Sequence, residues 1–342
     1  LISMNNLNLL FIGDSGSGKT SLIHAAIREY YGNIQYADDI YGYNTDNSII
    51  ELLEPVSSGG GMLNIDLFDV NQDGYLDLIG GWEAADRQLA IYFGNGQNFT
   101  KDRMKILPYS EDWVNLMNVN FYDVDNDGDI DIYVGAINGG SQYSSMVETS
   151  FLLVNQGKGS FEIKSNFILN YKTPTDSPVA SEFYDLNKDG YLDLLIGANS
   201  GDYFRIYWGN GMNYDFKNST KITTSDFGPV YDFAFYDLDN DNSDEIIVFL
   251  SNPGNSKIEI YKNRDSNYIY SNDEFIESPL LNDHALVWIR IGDIDNDGKI
   301  ELFEEDRGHF NSEEYRWPGV FGSVPARWEL NGNKFTPNQL YN

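Results

Sequence analysis

Cysteine is absent from this 342-residue chain, which removes disulfides and thiolate chemistry from consideration. Histidine is scarce: His24, His284 and His309 stand apart, and none has a neighbour at metal-ligand spacing. Basic residues are few, 22 Lys and Arg against 53 Asp and Glu, for a formal net charge of −31. Nucleic-acid binding depends on Lys and Arg neutralising phosphate, so this balance argues against it, and equally against an anionic membrane surface. No apolar run is long enough for a membrane-spanning helix, so none is expected. The segment from Leu1 to Gly13 lacks the basic region and small-residue cleavage site of a signal peptide, and the start at Leu1 reads as a processed or trimmed chain. Neither a nucleophile elbow nor a zincin motif occurs.

What the chain has in abundance is carboxylate, and it is patterned. The form D-x-[DN]-x-D-G-x-x-[DE] occurs at 69–77, 123–131, 185–193 and 293–301, with a variant at 237–245 in which Asn242 replaces the Gly. Oxygen ligands at alternate positions around a sharp turn suit a hard cation that takes six to eight oxygens, which predicts about five bound Ca²⁺ ions. The side chains at positions one, three and five are Asp69, Asn71, Asp73; Asp123, Asp125, Asp127; Asp185, Asn187, Asp189; Asp237, Asp239, Asp241; and Asp293, Asp295, Asp297. Position seven offers a backbone carbonyl from Tyr75, Asp129, Tyr191, Ser243 or Lys299, and position nine a closing carboxylate from Asp77, Asp131, Asp193, Glu245 or Glu301.

An EF-hand is excluded. It needs flanking helices and a Glu at position twelve, where this chain has Gly80, Val134, Ile196, Val248 and Glu304. The flanks, such as Ile65–Phe68 and Leu192–Gly197, are short, apolar and Gly-bounded, and read as buried strands. Mg²⁺ fits less well because it demands octahedral geometry and keeps its waters. Asn242 tolerates left-handed backbone, so the fourth loop is expected to bind with lower affinity. Five divalent ions would bring the formal charge from −31 to −21. Without metal the clusters repel themselves and weaken the fold.

The first aspartates of the five loops lie 54, 62, 52 and 56 residues apart, the length of a four-stranded propeller blade with ordinary insertions. A second marker follows each loop: Tyr92–Phe99, Leu153–Phe161, Tyr207–Tyr214, Tyr261–Tyr268 and Trp328–Phe335. Several carry Asn-Gly, a strong hairpin signal. Each unit is therefore expected to run strand, loop, strand, connection, strand, Asn-Gly hairpin, strand.

On these motifs residues 60–342 resemble the FG-GAP/VCBS repeat family, whose calcium-loop blades also build the integrin α-subunit propeller. The resemblance implies a β-propeller, usually of seven blades, often extracellular and often an adhesion or interaction module. Some relatives are attached to polysaccharide-degrading or lectin-like proteins.

Residues 1–60 admit two readings. Gly13–Thr20 matches the phosphate-cradling pattern G-x-x-x-x-G-K-[ST], with Lys19 and Thr20 as candidate contacts to a nucleotide and its Mg²⁺. Alternatively, Leu9–Gly13 matches the strand at 194–197 and Tyr30–Tyr36 matches the marker at 92–99, which makes the segment a divergent first blade. A nucleotide-binding α/β domain needs more chain than precedes Asp69, so the blade reading is preferred.

The expectation is thus an all-β, six- to seven-bladed β-propeller of four-stranded blades with calcium loops, spanning 1–342 as one domain. Its expected role is a non-enzymatic, extracellular protein- or glycan-binding module. A polysaccharide lyase or hydrolase on the same frame is the alternative, and nucleotide binding through Lys19 and Thr20 a second. The insertions at 137–150 and 304–327 are the candidate partner contacts; Trp82, Trp113, Tyr315 and Trp317 could stack on a sugar or fill a partner's pocket, but packing within or between blades is the preferred reading for them.

Overall fold

The computed structural model describes residues 62–82, 89–95, 99, 101–108, 115–138, 147–148, 150–165, 167–169, 180–198, 201–211, 213–250, 256–264, 267–276, 281–282, 287–293, 299–306 and 327–337. Lys19, Thr20, the remainder of 1–60, Asp295, Asp297, Trp113, Tyr315, Trp317 and the three histidines lie outside them. The described chain is all-β apart from single turns of helix.

Strands β1 (Met62–Phe68), β2 (Asp77–Trp82), β3 (Leu89–Tyr92) and β4 (Met104–Ile106) form one antiparallel four-stranded sheet in chain order. Strands β5 (Asn115–Tyr122), β6 (Asp131–Asn138), β8 (Phe151–Asn155) and β9 (Phe161–Ser165) form the next, with the short β7 (Val147–Glu148) added to β6. A two-residue strand, β10 (Ile168–Leu169), follows. The third sheet is β11 (Ser181–Tyr184), β12 (Asp193–Gly197), β13 (Tyr203–Tyr207) and β15 (Ser219–Thr223), while β14 (Tyr214–Asp215) pairs in parallel with β10. The fourth is β16 (Val230–Tyr236), β17 (Glu245–Leu250), β18 (Ser256–Arg264) and β19 (Asn267–Tyr270), with β20 (Leu281–Asn282) added to β18. The fifth is β21 (Val287–Gly292), β22 (Glu301–Asp306), β23 (Arg327–Asn331) and β24 (Lys334–Pro337). Five repeating sheets of this form are consistent with propeller blades. Each acidic loop joins the first strand of its sheet to the second, as the sequence predicts.

Two compact units contain these sheets. One holds 62–136 and 150–165; the other holds 137–148 and 167–337. In the first, Ile79 and Ile91 pack with Val119, Ile132, Val134 and Leu153 of the second sheet. In the second, β17 is apolar from Ile246 to Leu250 because both faces of its sheet are covered. Ile246, Val248 and Leu250 of β17 point into a core shared with Leu195, Phe204 and Ile206. Ile247 and Phe249 alternate to the other side and meet Ile289, Leu302 and Trp328. This is the period-two geometry of a strand, with both faces dry. Phe204 lies edge-on to Phe233 at 5.5 Å and to Tyr261 at 5.2 Å. Burying such a ring contributes roughly 1.5–3 kcal/mol.

The expected Asn-Gly hairpins are corrected in two repeats. Tyr92 pairs with Met104 and Tyr207 with Ser219, so a longer excursion separates the third and fourth strands there. In the third repeat Tyr214 is the reason. Its ring is fully buried, packs edge-on against Phe167 and Phe183, and its hydroxyl donates to the Leu192 carbonyl at 2.9 Å. Burial of that ring draws the chain away from an immediate return. In the second repeat Asn155 does pair with Phe161 across a tight turn. In the fifth, Asn331 pairs with Lys334, and the turn residues are Gly332 and Asn333 rather than Asn331 and Gly332.

Candidate metal centre

Four of the acidic loops share one hydrogen-bonded template. The position-one carboxylate accepts the N–H of position five at 3.0 Å: Asp73 to Asp69, Asp127 to Asp123, Asp189 to Asp185, Asp241 to Asp237. Its other oxygen accepts the N–H of position six at 2.8–2.9 Å, from Gly74, Gly128, Gly190 and Asn242. The position-five carboxylate accepts the N–H of position seven, from Tyr75, Asp129, Tyr191 and Ser243. Position four is left-handed in every case, with φ of 57° to 61° at Gln72, Asn126, Lys188 and Asn240. Asn242 takes φ 66° and makes the same bond as the glycines it replaces, so the fourth loop keeps the shared shape.

Position two is a buried apolar anchor: Val70, Val124, Leu186 and Leu238. Its N–H reaches across the loop to the position-nine carboxylate at 2.8–3.1 Å. That carboxylate is fully buried in all five repeats. Where it is Asp, its second oxygen accepts a backbone N–H at or just past the end of the third strand: Gly94 to Asp77 at 2.8 Å, Asn155 to Asp131 at 2.9 Å, Gly209 to Asp193 at 2.8 Å. Position nine therefore clamps loop, second strand and third strand together, a role that the sequence pattern does not announce. The glycines are there for space. A Cβ on Gly94 or Gly209 would lie 2.0 Å from the carbonyl oxygen of Leu76 or Leu192.

Burial raises the pKa of these carboxylates, more than the donated N–H groups lower it. Asp77 and Asp131 are pushed up to about 6, and Asp193 and Glu245 to about 7. The neighbouring loop aspartates push in the same direction. A nearby divalent cation would reverse this by favouring the ionised forms.

Among the described residues, two loops bring acidic oxygens to a common point. Ligand atoms of Asp123, Asp125 and Asp127 lie within 4.8 Å of one another, and so do those of Asp237, Asp239 and Glu245. In the fourth loop Glu245 Oε2 accepts the Leu238 N–H, while Glu245 Oε1 and Asp239 Oδ1 are buried without a hydrogen-bond partner. Leaving acceptors dry and unpaired is costly, and a cation with oxygen-only preference suits such a donor set. In the first and third loops Asn71 and Asn187 instead donate to Asp73 and Asp189. Asp293, Lys299 and Glu301 of the fifth loop flank the part that lies outside the described residues.

Side chains at position four tie a loop to the next. Gln72 donates to the Asp129 carboxylate. Lys188 donates to the Asn242 carbonyl at 2.8 Å and stands 3.2 Å from Asp244. Beside that contact a cavity of about 200 Å³ is lined by Asn187, Lys188, Trp208, Ser243, Asn263 and Tyr268, among others. No described helix is long and apolar enough to cross a membrane.

No curated protein sequence matches the chain. A structure titled as BBS1N in complex with ARL6DN, soaked with lead, aligns at 13% identity over 78% of this chain and 75% of its own, with a TM-score of 0.39. The Photorhabdus luminescens Tc holotoxin pore aligns at 16% identity over 80% of this chain, with a TM-score of 0.38. This chain spans 12% of that toxin chain. The family model described as FG-GAP-like repeat matches residues 69–134 and 185–248, each stretch running from one acidic loop through the next. Over those two stretches the chain is similar to FG-GAP-like repeats.

Proposed function

We propose that this chain is a calcium-stabilised β-propeller that serves as a non-enzymatic module for binding a protein or glycan outside the cell. The observation that carries the calcium reading is the fourth loop. Three acidic residues converge there, and two of their buried oxygens have no partner. Asp237, Asp239 and Glu245 would hold the ion, as would Asp123, Asp125 and Asp127 in the second loop. The ion would supply positive charge at the point where each loop gathers negative charge, and so lock the first strand to the second.

Closure into a propeller is supported by the repeat. An inner sheet whose two faces are both apolar needs a neighbour on each side. The binding role is supported by the connections at the other ends of the strands. Phe227, in the connection between β15 and β16, is 63% exposed. That connection is fixed from behind: Lys257 Nζ lies 2.6 Å from Ser225 Oγ and 3.3 Å from the buried Glu259 carboxylate. A rigid frame that presents an exposed aromatic is an interaction surface rather than a catalytic one.

Thermal unfolding in chelator, in Ca²⁺, and in Mg²⁺ with and without nucleotide tests the proposal. A large rise in melting temperature with Ca²⁺ alone is expected, because a ligand that binds only the native state stabilises it by mass action. No response to Ca²⁺ in protein verified as metal-free would sink the calcium reading. A response to Mg²⁺–nucleotide beyond Mg²⁺ alone would move attention to Lys19 and Thr20.

A further inference from the structure

The fourth loop carries more acid than the first or third. Asp237, Asp239, Asp241, Asp244 and Glu245 compare with three carboxylates in each of those two. It also has a basic partner on its third strand, whereas the cation near the second loop, Lys164 beside Asp125, stands on the fourth strand. Strand register sets loop position ten opposite Tyr92, Leu153, Tyr207, Tyr261 and Trp328 in the five repeats. The next residue in the chain is Phe93, Val154, Trp208, Lys262 and Glu329, so only the fourth repeat has a cation at this position.

Lys262 is mostly buried, its side chain 12% exposed. Its ammonium contacts Asp239 Oδ2 and lies 3.0 Å from Asp241 Oδ2. It thus occupies outer oxygens at positions three and five, while Asp239 Oδ1 and Glu245 Oε1 stay buried and unpaired. Lys188 stands against Asp244. Five carboxylates less two ammonium groups leave three formal negative charges, the number in the first and third loops.

We propose that Lys262 is a tethered counter-ion of the fourth loop. It holds the loop together when metal is absent and weakens the loop's grip on a divalent cation, so this loop binds calcium less tightly than its five carboxylates alone would. The proposal rests on the calcium reading above. Its physical basis is charge: a divalent ion bound by Asp237, Asp239 and Glu245 would share Asp239 with an ammonium group, and like charges at that range repel in a partly buried site.

Calcium titration by calorimetry of the full chain tests this, with Lys262→Met, Asp237→Asn and the double variant. The parent is expected to have a weak binding step that Asp237→Asn removes. Lys262→Met should tighten that step about tenfold and lower the melting temperature in chelator, and the double variant should lose the gain. An Asp237-dependent step that is unchanged or weaker in Lys262→Met overturns the proposal and leaves the calcium reading standing. Absence of any calcium binding in the parent overturns both. Binding elsewhere without an Asp237-dependent step overturns this proposal alone. If Lys262→Met fails to fold in chelator, Lys262→Gln and rescue by Ca²⁺ decide: rescue supports the counter-ion role, and failure of rescue in both variants overturns it.

Discussion

The Gly209 N–H donates to Asp193 Oδ1 at 2.8 Å, and that bond fastens the end of the third strand to the start of the second. The same residue is pressed against the Leu192 carbonyl, so the contact tolerates no side chain. Gly209→Ala is therefore expected to cost about 1–3 kcal/mol through displaced backbone. Gly94→Ala should behave alike in the first repeat, where the fit to Leu76 is the same. Urea unfolding in saturating calcium measures both. A loss below a few tenths of a kcal/mol would mean that the loop yields freely.

Removing the acceptor instead of the donor should also destabilise. Asp193→Ala leaves the Gly209 N–H buried with nothing to bond, at about 1–3 kcal/mol. Hydrogen exchange at Gly209 reads the effect locally. Faster exchange there is expected, and unchanged protection would show that the clamp is dispensable.

In chelator, stability should fall as pH rises through the mildly acidic range. Burial raises the folded pKa of Asp77 and Asp131 to about 6 and of Asp193 and Glu245 to about 7, against 3.8 and 4.5 ordinarily. Between those limits the folded chain holds protons that the unfolded chain has released. The stabilising contribution is thus full below the unfolded values and lost as pH climbs through the folded ones. Chemical denaturation at stepped pH in chelator tests the sign; a metal-free protein that gains stability from about pH 5 to about pH 7 would contradict it.

Calcium binding near about pH 6 should release protons, because a carboxylate must be ionised to ligate. Calorimetry in buffers of different ionisation enthalpy counts them. Equal heats in all buffers would mean that the position-nine carboxylates do not respond to the ion.

Asn242 offers a narrower test. Its left-handed backbone suits Asn and Gly but not Ala, so Asn242→Ala should cost about 1–2 kcal/mol. Asn242→Gly should be nearly neutral in the same thermal melts.

The all-β character and the four-stranded antiparallel sheets were legible in the sequence. The loop pattern located the junction between first and second strands in every repeat, because alternate oxygens around a left-handed turn dictate local shape. The expectation of an immediate hairpin after the third strand failed in the first and third repeats, where Tyr92 pairs with Met104 and Tyr207 with Ser219. In the third repeat the failure has a tertiary cause: the neighbours that bury Tyr214 are Phe167 and Phe183, far from any turn signal. Lys262 was invisible for a similar reason. It lies outside the motif and enters the loop only through the register of β18 against β17. The double duty of position nine, as clamp and candidate ligand, was hidden because its second donor comes from another strand.

The alternation along β17 bears on how such a chain can be cut or lengthened. Ile247 and Phe249 serve one neighbour while Ile246, Val248 and Leu250 serve the other, so the sheet has no face fit for water. A fragment ending after this sheet would bare one of those apolar faces and would self-associate through it, whereas a whole extra repeat could be spliced in between two existing ones and find compatible surfaces on either side.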